Sequence, residues 1–269
     1  MSGSVIHSQS AAMVPAVYSA GQSPQLPVVI DYPAALALRQ MSMVHDELPK
    51  YLLAPEVSAL LHYVPDLRRK MLLATLWNTG ARINEALALT RGDFSLAPPY
   101  PFVQLATLKQ RTEKAARTAG RTPAGQQTHR LVPLSDSWYV SQLQTMVATL
   151  KVPLERRNKR TGRTEKARIW EVTDRTVRTW IGEAVAAAAT DGVTFSVPVT
   201  PHTFRHSYAM HMLYAGIPLK VLQSLMGHKS ISSTEVYTKV FALDVAARHR
   251  VQFSMPESDA VTMLKNRHA

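Results

Sequence analysis

The chain has 269 residues, a formal net charge of +12 at pH 7 and no cysteine. Disulfides, thiolate metal sites and a cysteine nucleophile are therefore excluded, and the apolar runs are too short for a membrane span. A basic surplus of this size is typical of proteins that bind a polyanion. Residues 1–38 contain no Lys or Arg, so we expect no secretory leader and a cytoplasmic protein.

The N-terminal part of the chain differs in composition from the rest. Residues 1–33 are rich in Ser, Ala and Pro, and we predict a flexible arm over residues 1–48 with at most one short helix, over residues 34–44. From Tyr51 onward, apolar residues recur at helical spacing. We therefore predict a globular domain over residues 49–252 and a C-terminal tail over residues 253–269.

The globular part is predicted to be mostly helical, with one small sheet. Residues 100–108 and 129–134 have the alternation of strands, and a long basic loop joins them into an antiparallel hairpin. The fold class is therefore mainly α with a small antiparallel β-sheet, an α+β fold. Hydrophobic spacing, capping residues and glycine stops predict helices over residues 55–64, 67–76, 81–89, 137–150, 174–189, 201–214, 217–226 and 232–251.

The positive charge is concentrated in one segment. Residues 105–168 hold fourteen Lys and Arg against four Asp and Glu, in two bursts at residues 109–130 and 151–168. Both bursts are rich in Thr and Gly, so we predict basic loops that contact the phosphates of duplex DNA. The alternative is a solvated loop that keeps the protein soluble. The candidate DNA-binding residues are Lys114, Arg117, Arg121, Arg130, Arg156, Arg157, Lys159, Arg160, Arg163, Lys166 and Arg168.

The densest group of reactive side chains lies at the start of the helix predicted over residues 201–214. Thr200 and Pro201 provide an N-cap and a first helical residue, which places His202 and Arg205 on one face at a positively polarised helix end. This geometry suits a phosphate group. A histidine and an arginine on a helix are also common on an exposed polar face.

A metal site is another interpretation of this helix, because three histidines, His202, His206 and His211, recur along it. His202 and His206 have the spacing of the zinc-binding helix motif. However, Thr203 follows His202 where that motif has its catalytic Glu. We therefore predict that these histidines bind no metal.

Two further groups contain residue types that act on phosphates. Gly227 and His228 are followed nine residues later by Tyr237, which a short turn could bring beside them. Arg82 follows a helix-ending glycine, and Glu85, three positions further on, could hold it in place. Taken singly, Tyr237 could be a packing residue, and Arg82 and Glu85 could form a surface salt bridge.

Taken together, these groups resemble the tyrosine recombinases, the phage-type integrase family. The family pattern is a Thr-Gly-x-Arg-x-x-Glu box, a β-hairpin lysine, a His-x-x-Arg box, a Gly-His pair and a tyrosine nine residues later. The sequence matches this order and the 32-residue gap between Arg205 and Tyr237. The resemblance covers residues 51–251 and implies the catalytic-domain fold of the family. The matching residues are Arg82, Glu85, Lys109, His202, Arg205, Gly227, His228 and Tyr237.

The resemblance implies an enzyme whose nucleophile is Tyr237. In this family the tyrosine hydroxyl attacks a DNA phosphodiester and forms a 3′-phosphotyrosine, which a second strand then attacks, without metal, ATP or other cofactor. By matching position, Arg82 and Arg205 bind the non-bridging oxygens, and Glu85 supports Arg82. Two guanidiniums facing a transition state of growing negative charge act as an oxyanion hole does.

The other matched residues are implied to move protons or to bind the phosphate. His202 would take the tyrosine proton, and His228 would form a hydrogen bond with the phosphate. Lys109, which directly follows the first strand of the predicted hairpin, would protonate the departing 5′ oxygen. Lys114, inside the loop, is the alternative for that role.

The resemblance also implies partners: double-stranded DNA with a specific recombination site, a homotetramer on that DNA, and accessory DNA-bending proteins. Within the family, the sequence looks most like the resolvases that convert plasmid multimers to monomers. An integrase or transposase of a mobile element and a type IB topoisomerase-like activity share the same chemistry and remain alternatives. A catalytically silent DNA-binding protein is disfavoured because every catalytic position is filled. The N-terminal clamp domain of most relatives is expected to be missing, with the basic bursts compensating for it.

Overall fold

The computed structural model describes residues 28, 30–44, 48–106, 129–158 and 160–249, together with 255, 256, 258, 259 and 263. The helices in this part of the chain are α1 (Tyr32–Val44), α2 (Ala54–His62), α3 (Leu67–Thr79), α4 (Ile83–Leu87), α5 (Ser137–Thr149), α6 (Asp174–Thr190), α7 (Pro201–Tyr214), α8 (Leu219–Met226) and α9 (Ser232–His249). The strands are β1 (Phe94–Ser95), β2 (Phe102–Ala106), β3 (His129–Pro133), β4 (Glu155–Arg157) and β5 (Thr164–Lys166).

The predicted class, mainly α with a small antiparallel sheet, is confirmed. β2 and β3 pair antiparallel, with Phe102 opposite Pro133 and Ala106 opposite His129. The short strand β1, which the sequence pattern does not predict, pairs antiparallel with β2 and extends the sheet to three strands. The loop between β2 and β3 contains the first basic burst and lies outside the described residues.

The second basic burst differs from its prediction. Residues 151–168 are expected to form a loop, but β4 and β5 pair antiparallel as a separate two-stranded hairpin, with Arg156 opposite Glu165. Arg156 Nη2 lies 2.8 Å from a carboxylate oxygen of Glu165 on the opposite strand, and Nη1 lies 2.5 Å from Glu171. These cross-strand charges stabilise a hairpin that has too few large apolar residues for the alternation rule to detect.

The hydrophobic core is built around α3, which packs against α5 and α7. Leu72 and Leu76 of α3, Leu143 of α5 and Phe204 of α7 are fully buried. α3 ends at Gly80, whose φ of 58° is the left-handed conformation of a helix C-cap. An added Cβ there would lie 2.4 Å from Cδ1 of Tyr208, so only glycine fits between α3 and α7.

Both ends of α7 are close to their predicted positions. The hydroxyl of Thr200 accepts a hydrogen bond from the backbone N–H of Thr203, and Pro201 is the first helical residue. α9 runs unbroken from Ser232 to His249, in agreement with the prediction of continuous helix there. The helix predicted over residues 81–89 is shorter than expected, because only Ile83–Leu87 is helical.

The predicted N-terminal arm contains its one helix, α1, and this helix packs against α9. Ala35 is fully buried, and Arg39 is 2% exposed. Arg39 forms an ion pair with Glu56 at the start of α2, and its Nη2 donates to Ser196 Oγ at 2.6 Å. Residues 32–44 therefore belong to the folded body of the protein. Among the helices described, none combines the length and the apolar composition needed to cross a membrane.

Candidate active site

Arg82 is placed by the turn between α3 and α4, where it is the N-cap of α4. Glu85 accepts from the Arg82 backbone N–H at 2.9 Å through Oε2 and from Arg82 Nη1 at 3.0 Å through Oε1. The Arg82 side chain is 42% exposed, whereas that of Glu85 is 1% exposed. The predicted support of Arg82 by Glu85 is therefore present, and the guanidinium remains accessible to an anion.

Arg205 lies in the second turn of α7 and is 5% exposed. Its Nη1 donates to the carbonyl oxygen of Gly80, and its Nη2 donates to the carbonyl oxygen of Met226 at 2.7 Å. Burial lowers the pKa of Arg205 to about 10, and the nearby charge of Arg82 acts in the same direction. Arg205 therefore connects the end of α3 to the end of α8 and remains a cation at neutral pH.

His228 follows the left-handed C-cap of α8 at Gly227, whose φ is 65°. Its Nδ1 shares a hydrogen bond of 2.8 Å with the hydroxyl of Thr234, just inside α9. Burial lowers the pKa of His228 to about 4, assisted by the charges of Arg205 and Arg82. The imidazole is therefore neutral at pH 7, and the bond to Thr234 fixes its orientation.

Tyr237 lies in α9 and is 2% exposed. Its hydroxyl shares a hydrogen bond of 2.9 Å with Nδ1 of His206, one helical turn beyond His202. Burial raises the pKa of Tyr237 to about 12, although the positive charges of Arg205 and Arg82 oppose that shift. The phenol is therefore un-ionised at neutral pH and needs a base before it can act as a nucleophile.

His202 and His206 form a short imidazole row beside Tyr237. Their ring centroids are 6.3 Å apart, and the centroids of His206 and Tyr237 are 5.6 Å apart. His202 is exposed, whereas burial, together with the charges of His202 and Arg205, lowers the pKa of His206 to about 4. Both histidines line an open cavity of about 410 Å³. The contact of His206 with the tyrosine hydroxyl is a feature that the sequence motif does not predict.

Four of the predicted catalytic residues have neighbours in common, because the positive charges of Arg82 and Arg205 act on both His228 and Tyr237. Lys109 and its alternative lie in the undescribed loop, so the identity of the general acid stays a prediction. Of the basic residues predicted to act in catalysis or DNA binding, those outside the described part of the chain are Lys109, Lys114, Arg117, Arg121 and Lys159.

The remaining candidate DNA-binding residues fall into two groups. Arg130 and Arg156 form ion pairs with carboxylates. Arg130, whose side chain is 7% exposed, pairs with Glu85, and Arg156 pairs with Glu165 and Glu171. Arg130 therefore differs from the expectation of a loop residue facing DNA, because it lies in β3 and points into the protein. The exposed residues are Arg157, Arg160, Arg163, Lys166 and Arg168, on or next to the β4–β5 hairpin.

The third histidine of the metal interpretation lies apart from the other two. The ring of His211 packs against Trp77 of α3, with 4.9 Å between centroids, and burial lowers its pKa. Within the described residues, no three His, Asp or Glu side chains form a group that could hold a metal ion. The histidines of α7 therefore serve separate contacts.

Known proteins of similar sequence belong to one family. Residues 50–243 match the model of the phage integrase family. A resolvase of Escherichia coli strain K12 is 95% identical over 265 residues, which is 98% of this chain and 99% of that protein. A probable site-specific recombinase of the E. coli afa region is 48% identical, covering 88% of this chain and 89% of that protein.

Among solved structures, the XerH site-specific recombinase bound to a palindromic difH substrate has the same fold, with a TM-score of 0.53 at 19% identity. The match covers 76% of this chain and 53% of XerH. The predicted catalytic-domain fold is therefore confirmed. The family model, the relatives and the fold agree that the chain belongs to the phage integrase family, the tyrosine recombinases, and is a site-specific recombinase.

Proposed function

We propose that this recombinase cuts and rejoins DNA through Tyr237 and thereby resolves plasmid multimers into monomers. The observation that carries the proposal is the position of Tyr237: its hydroxyl lies 2.9 Å from Nδ1 of His206, and the charges of Arg205 and Arg82 act on it. The resolvase that is 95% identical supports the assignment to plasmid resolution. Plasmid DNA lies in the bacterial cytoplasm, so we place the reaction there.

The first chemical step is attack of the Tyr237 oxygen on a backbone phosphorus. The new P–O bond gives a 3′-phosphotyrosine, the bond to the 5′ oxygen breaks, and the tyrosine proton passes to a neighbouring base. The exposed guanidinium of Arg82 and that of Arg205 stabilise the charge that grows on the non-bridging oxygens. The 5′ oxygen leaves as a hydroxyl after protonation by Lys109.

The second step reverses the first with a new partner strand. The 5′-hydroxyl of that strand attacks the phosphotyrosine and regenerates the phosphodiester and the free tyrosine. Because each phosphoester bond that breaks is replaced by a new one in the same step, the cycle needs no ATP. Cationic side chains occupy the role that metal ions have in other phosphoryl-transfer sites, so we propose that no metal is required.

Two aspects of assembly belong to the same proposal. Exchange between two DNA sites requires two pairs of nucleophiles, so we propose a homotetramer on duplex DNA, with accessory DNA-bending proteins bringing the sites together. The exposed basic residues of the β4–β5 hairpin supply phosphate contacts outside the active site.

The test is covalent trapping on nicked substrates prepared from candidate plasmid sites, without nucleotide and in the presence of EDTA. We expect a protein–DNA adduct on denaturing gels with the unmodified protein and none with Tyr237→Phe. Tyr100→Phe, which changes a tyrosine that is 83% exposed, is the matched control and should form the adduct normally. On a dimeric plasmid with two sites, the unmodified protein should release monomers.

Each other outcome of this test identifies a different error. An adduct that survives Tyr237→Phe would mean that another residue is the nucleophile. Binding of DNA without any adduct would favour the catalytically silent alternative. Adducts without monomer release, accompanied by insertion into target DNA, would favour an integrase.

A further inference from the structure

A buried arginine outside the catalytic motifs occupies the centre of the site. Arg130, the second residue of β3, is 8% exposed, and its guanidinium donates three hydrogen bonds inside the protein. Nη1 and Nη2 donate to the two oxygens of Glu85 at 3.1 and 2.6 Å, and Nε donates to the carbonyl oxygen of Leu225 at 2.8 Å. Such a bidentate pair is among the stronger and geometrically more specific ion pairs in proteins.

The first consequence concerns the charge of Arg82. Glu85 accepts from both arginines, but Arg130 holds it through two charged donors, whereas Arg82 uses one guanidinium nitrogen and its backbone N–H. Arg130 therefore balances the carboxylate charge, and the 42% exposed guanidinium of Arg82 keeps its positive charge for an incoming phosphate. Without Arg130, Glu85 would neutralise Arg82 instead.

The second consequence concerns the Gly227–His228 corner. Leu225, which accepts from Arg130, is next to Met226, whose carbonyl oxygen accepts from Arg205 at 2.7 Å. An added Cβ at Gly227 would lie 3.0 Å from Cδ of Arg130. The arginine stem is therefore packed against the glycine that precedes His228.

We propose that Arg130 is a positioning residue for strand cleavage: its buried guanidinium holds Glu85 and the end of α8, and through them sets the charge and position of Arg82, Arg205 and His228. This inference rests on the proposed function, because it concerns the same chemical step. Arg130 also connects the site to β3, the strand that follows the undescribed basic loop. It differs from Arg82 in that its guanidinium is buried and all three of its hydrogen bonds described above are to groups of the protein.

The test measures the rate of adduct formation at saturating DNA and, separately, the affinity for DNA. We expect Arg130→Met to slow cleavage by about a hundredfold, since small displacements of catalytic groups have effects of that size. Arg130→Lys keeps the charge but cannot form the bidentate pair with Glu85 and the bond to Leu225 together. Its rate should therefore lie between those of Arg130→Met and the unmodified protein. DNA affinity should stay within about twofold in both variants.

The matched control is Arg68→Met. Arg68 is an exposed arginine of α3 whose side chain, like that of Arg130, donates to a backbone carbonyl oxygen: Nε and Nη2 both bond to Ile169. This variant tests whether the loss of any arginine that bonds to the backbone slows cleavage, and its rate should remain that of the unmodified protein. Circular dichroism identifies any variant that fails to fold, and in that case Arg130→Lys carries the test.

A double-variant cycle tests the route of action. Glu85→Gln removes the route through Glu85 and leaves the contact with α8, so adding Arg130→Met to Glu85→Gln should slow cleavage by less than Arg130→Met slows the unmodified protein. Rate losses that multiply would overturn the inference, as would Arg130 variants that cleave as fast as Arg68→Met, or losses confined to DNA affinity.

A second readout separates this inference from the proposed function. If the unmodified protein forms no adduct on any site, the proposed function fails. The contact of Arg130 is then measured through the NMR signal of the Arg82 guanidinium, which should shift in Arg130→Lys and not in Arg68→Lys. An unchanged Arg82 signal in Arg130→Lys would overturn the inference by itself.

Discussion

The hydroxyl of Tyr237 is in contact with His206, which the family motif does not include. A histidine whose pKa is about 4 is neutral at pH 7, and in the tautomer with the proton on Nε2 its Nδ1 can accept the phenolic proton. His202, the residue matched to that role, is exposed one turn away. His206 therefore either takes the proton directly or orients the phenol while His202 does so.

We predict that an acceptor at the Nδ1 position of His206 is needed for cleavage. His206→Phe keeps a ring but removes the acceptor, and adduct formation should slow by about a hundredfold, the size typical of a lost proton acceptor. His206→Asn places an amide oxygen near the former Nδ1 and should restore most of the rate. The measurement is single-turnover trapping on a nicked substrate at saturating DNA.

One result would contradict the prediction for His206. Equal rates for His206→Phe and His206→Asn would mean that the ring matters only for packing. A comparison with His202→Phe then identifies the base. Loss of rate in His202→Phe alone would assign proton transfer to His202, as the family resemblance implies.

Residue-scale prediction from the sequence succeeded where the contact is local and failed where it is distant. Arg82 and Glu85 are three positions apart, so their pairing follows from helix geometry. Glu85, the charged partner of Arg130, is 45 positions away, and the pairing of β3 with β2 and the packing of α4 on β2 bring the two side chains together. A count of charge along the chain cannot distinguish a buried arginine from a solvated one.

At the scale of elements, helices with clear caps and stops were predictable and the second hairpin was not. The Thr200–Pro201 start of α7 and the glycine ends of α3 and α8 are encoded by residues with a specific backbone role. β4 and β5 have only three residues each and are mostly exposed. Their pairing depends on Arg156 and Glu165, a cross-strand contact that hydrophobic alternation does not detect.

We predict that the exposed arginines and lysine of the β4–β5 hairpin contact DNA phosphates. Replacing Arg160, Arg163 and Lys166 together by Gln should weaken DNA binding and reduce the slope of log affinity against log salt by about 0.9 for each lost contact. The measurement is fluorescence anisotropy with duplex DNA over a range of salt concentrations.

Arg156→Gln is the matched control for this prediction. Arg156 is paired with Glu165 and Glu171, so its loss should loosen the hairpin without changing the salt slope by a full contact. An unchanged slope in the triple variant would mean that the hairpin charges are solvated and face away from DNA.

At the scale of the whole molecule, helices α1 and α9 belong to one packed body. α1 lies against α9, which contains Tyr237, and Arg39 of α1 reaches Glu56 of α2 and Ser196 before α7. Composition predicted an arm here because the segment has few charges and many small residues. The one arginine in its helix is nevertheless buried, with a charged partner 17 positions away.

We predict that the Arg39–Glu56 pair stabilises the folded protein, so that a chain shortened at the predicted boundary at residue 48 is less stable than the full chain. Glu56→Gln removes a charged partner of the buried guanidinium of Arg39, which should lower the free energy of unfolding by at most about 3–5 kcal/mol. Adding Arg39→Met removes the buried charge and should recover much of that loss. Urea denaturation of each variant measures both effects.

The control for this prediction is an exposed pair of the same kind. Arg69 and Glu183 are 2.9 Å apart with side chains 36% and 57% exposed, so Glu183→Gln should cost at most about 1 kcal/mol. A chain that begins at residue 49 loses Arg39 and the contact of α1 with α9, and should unfold at lower urea than the full chain. Equal stability of the full chain and this shortened chain would mean that α1 is a dispensable appendage. A loss of unfolding free energy comparable to that of Glu56→Gln would mean that α1 helps to stabilise the fold around α9, the helix that contains Tyr237.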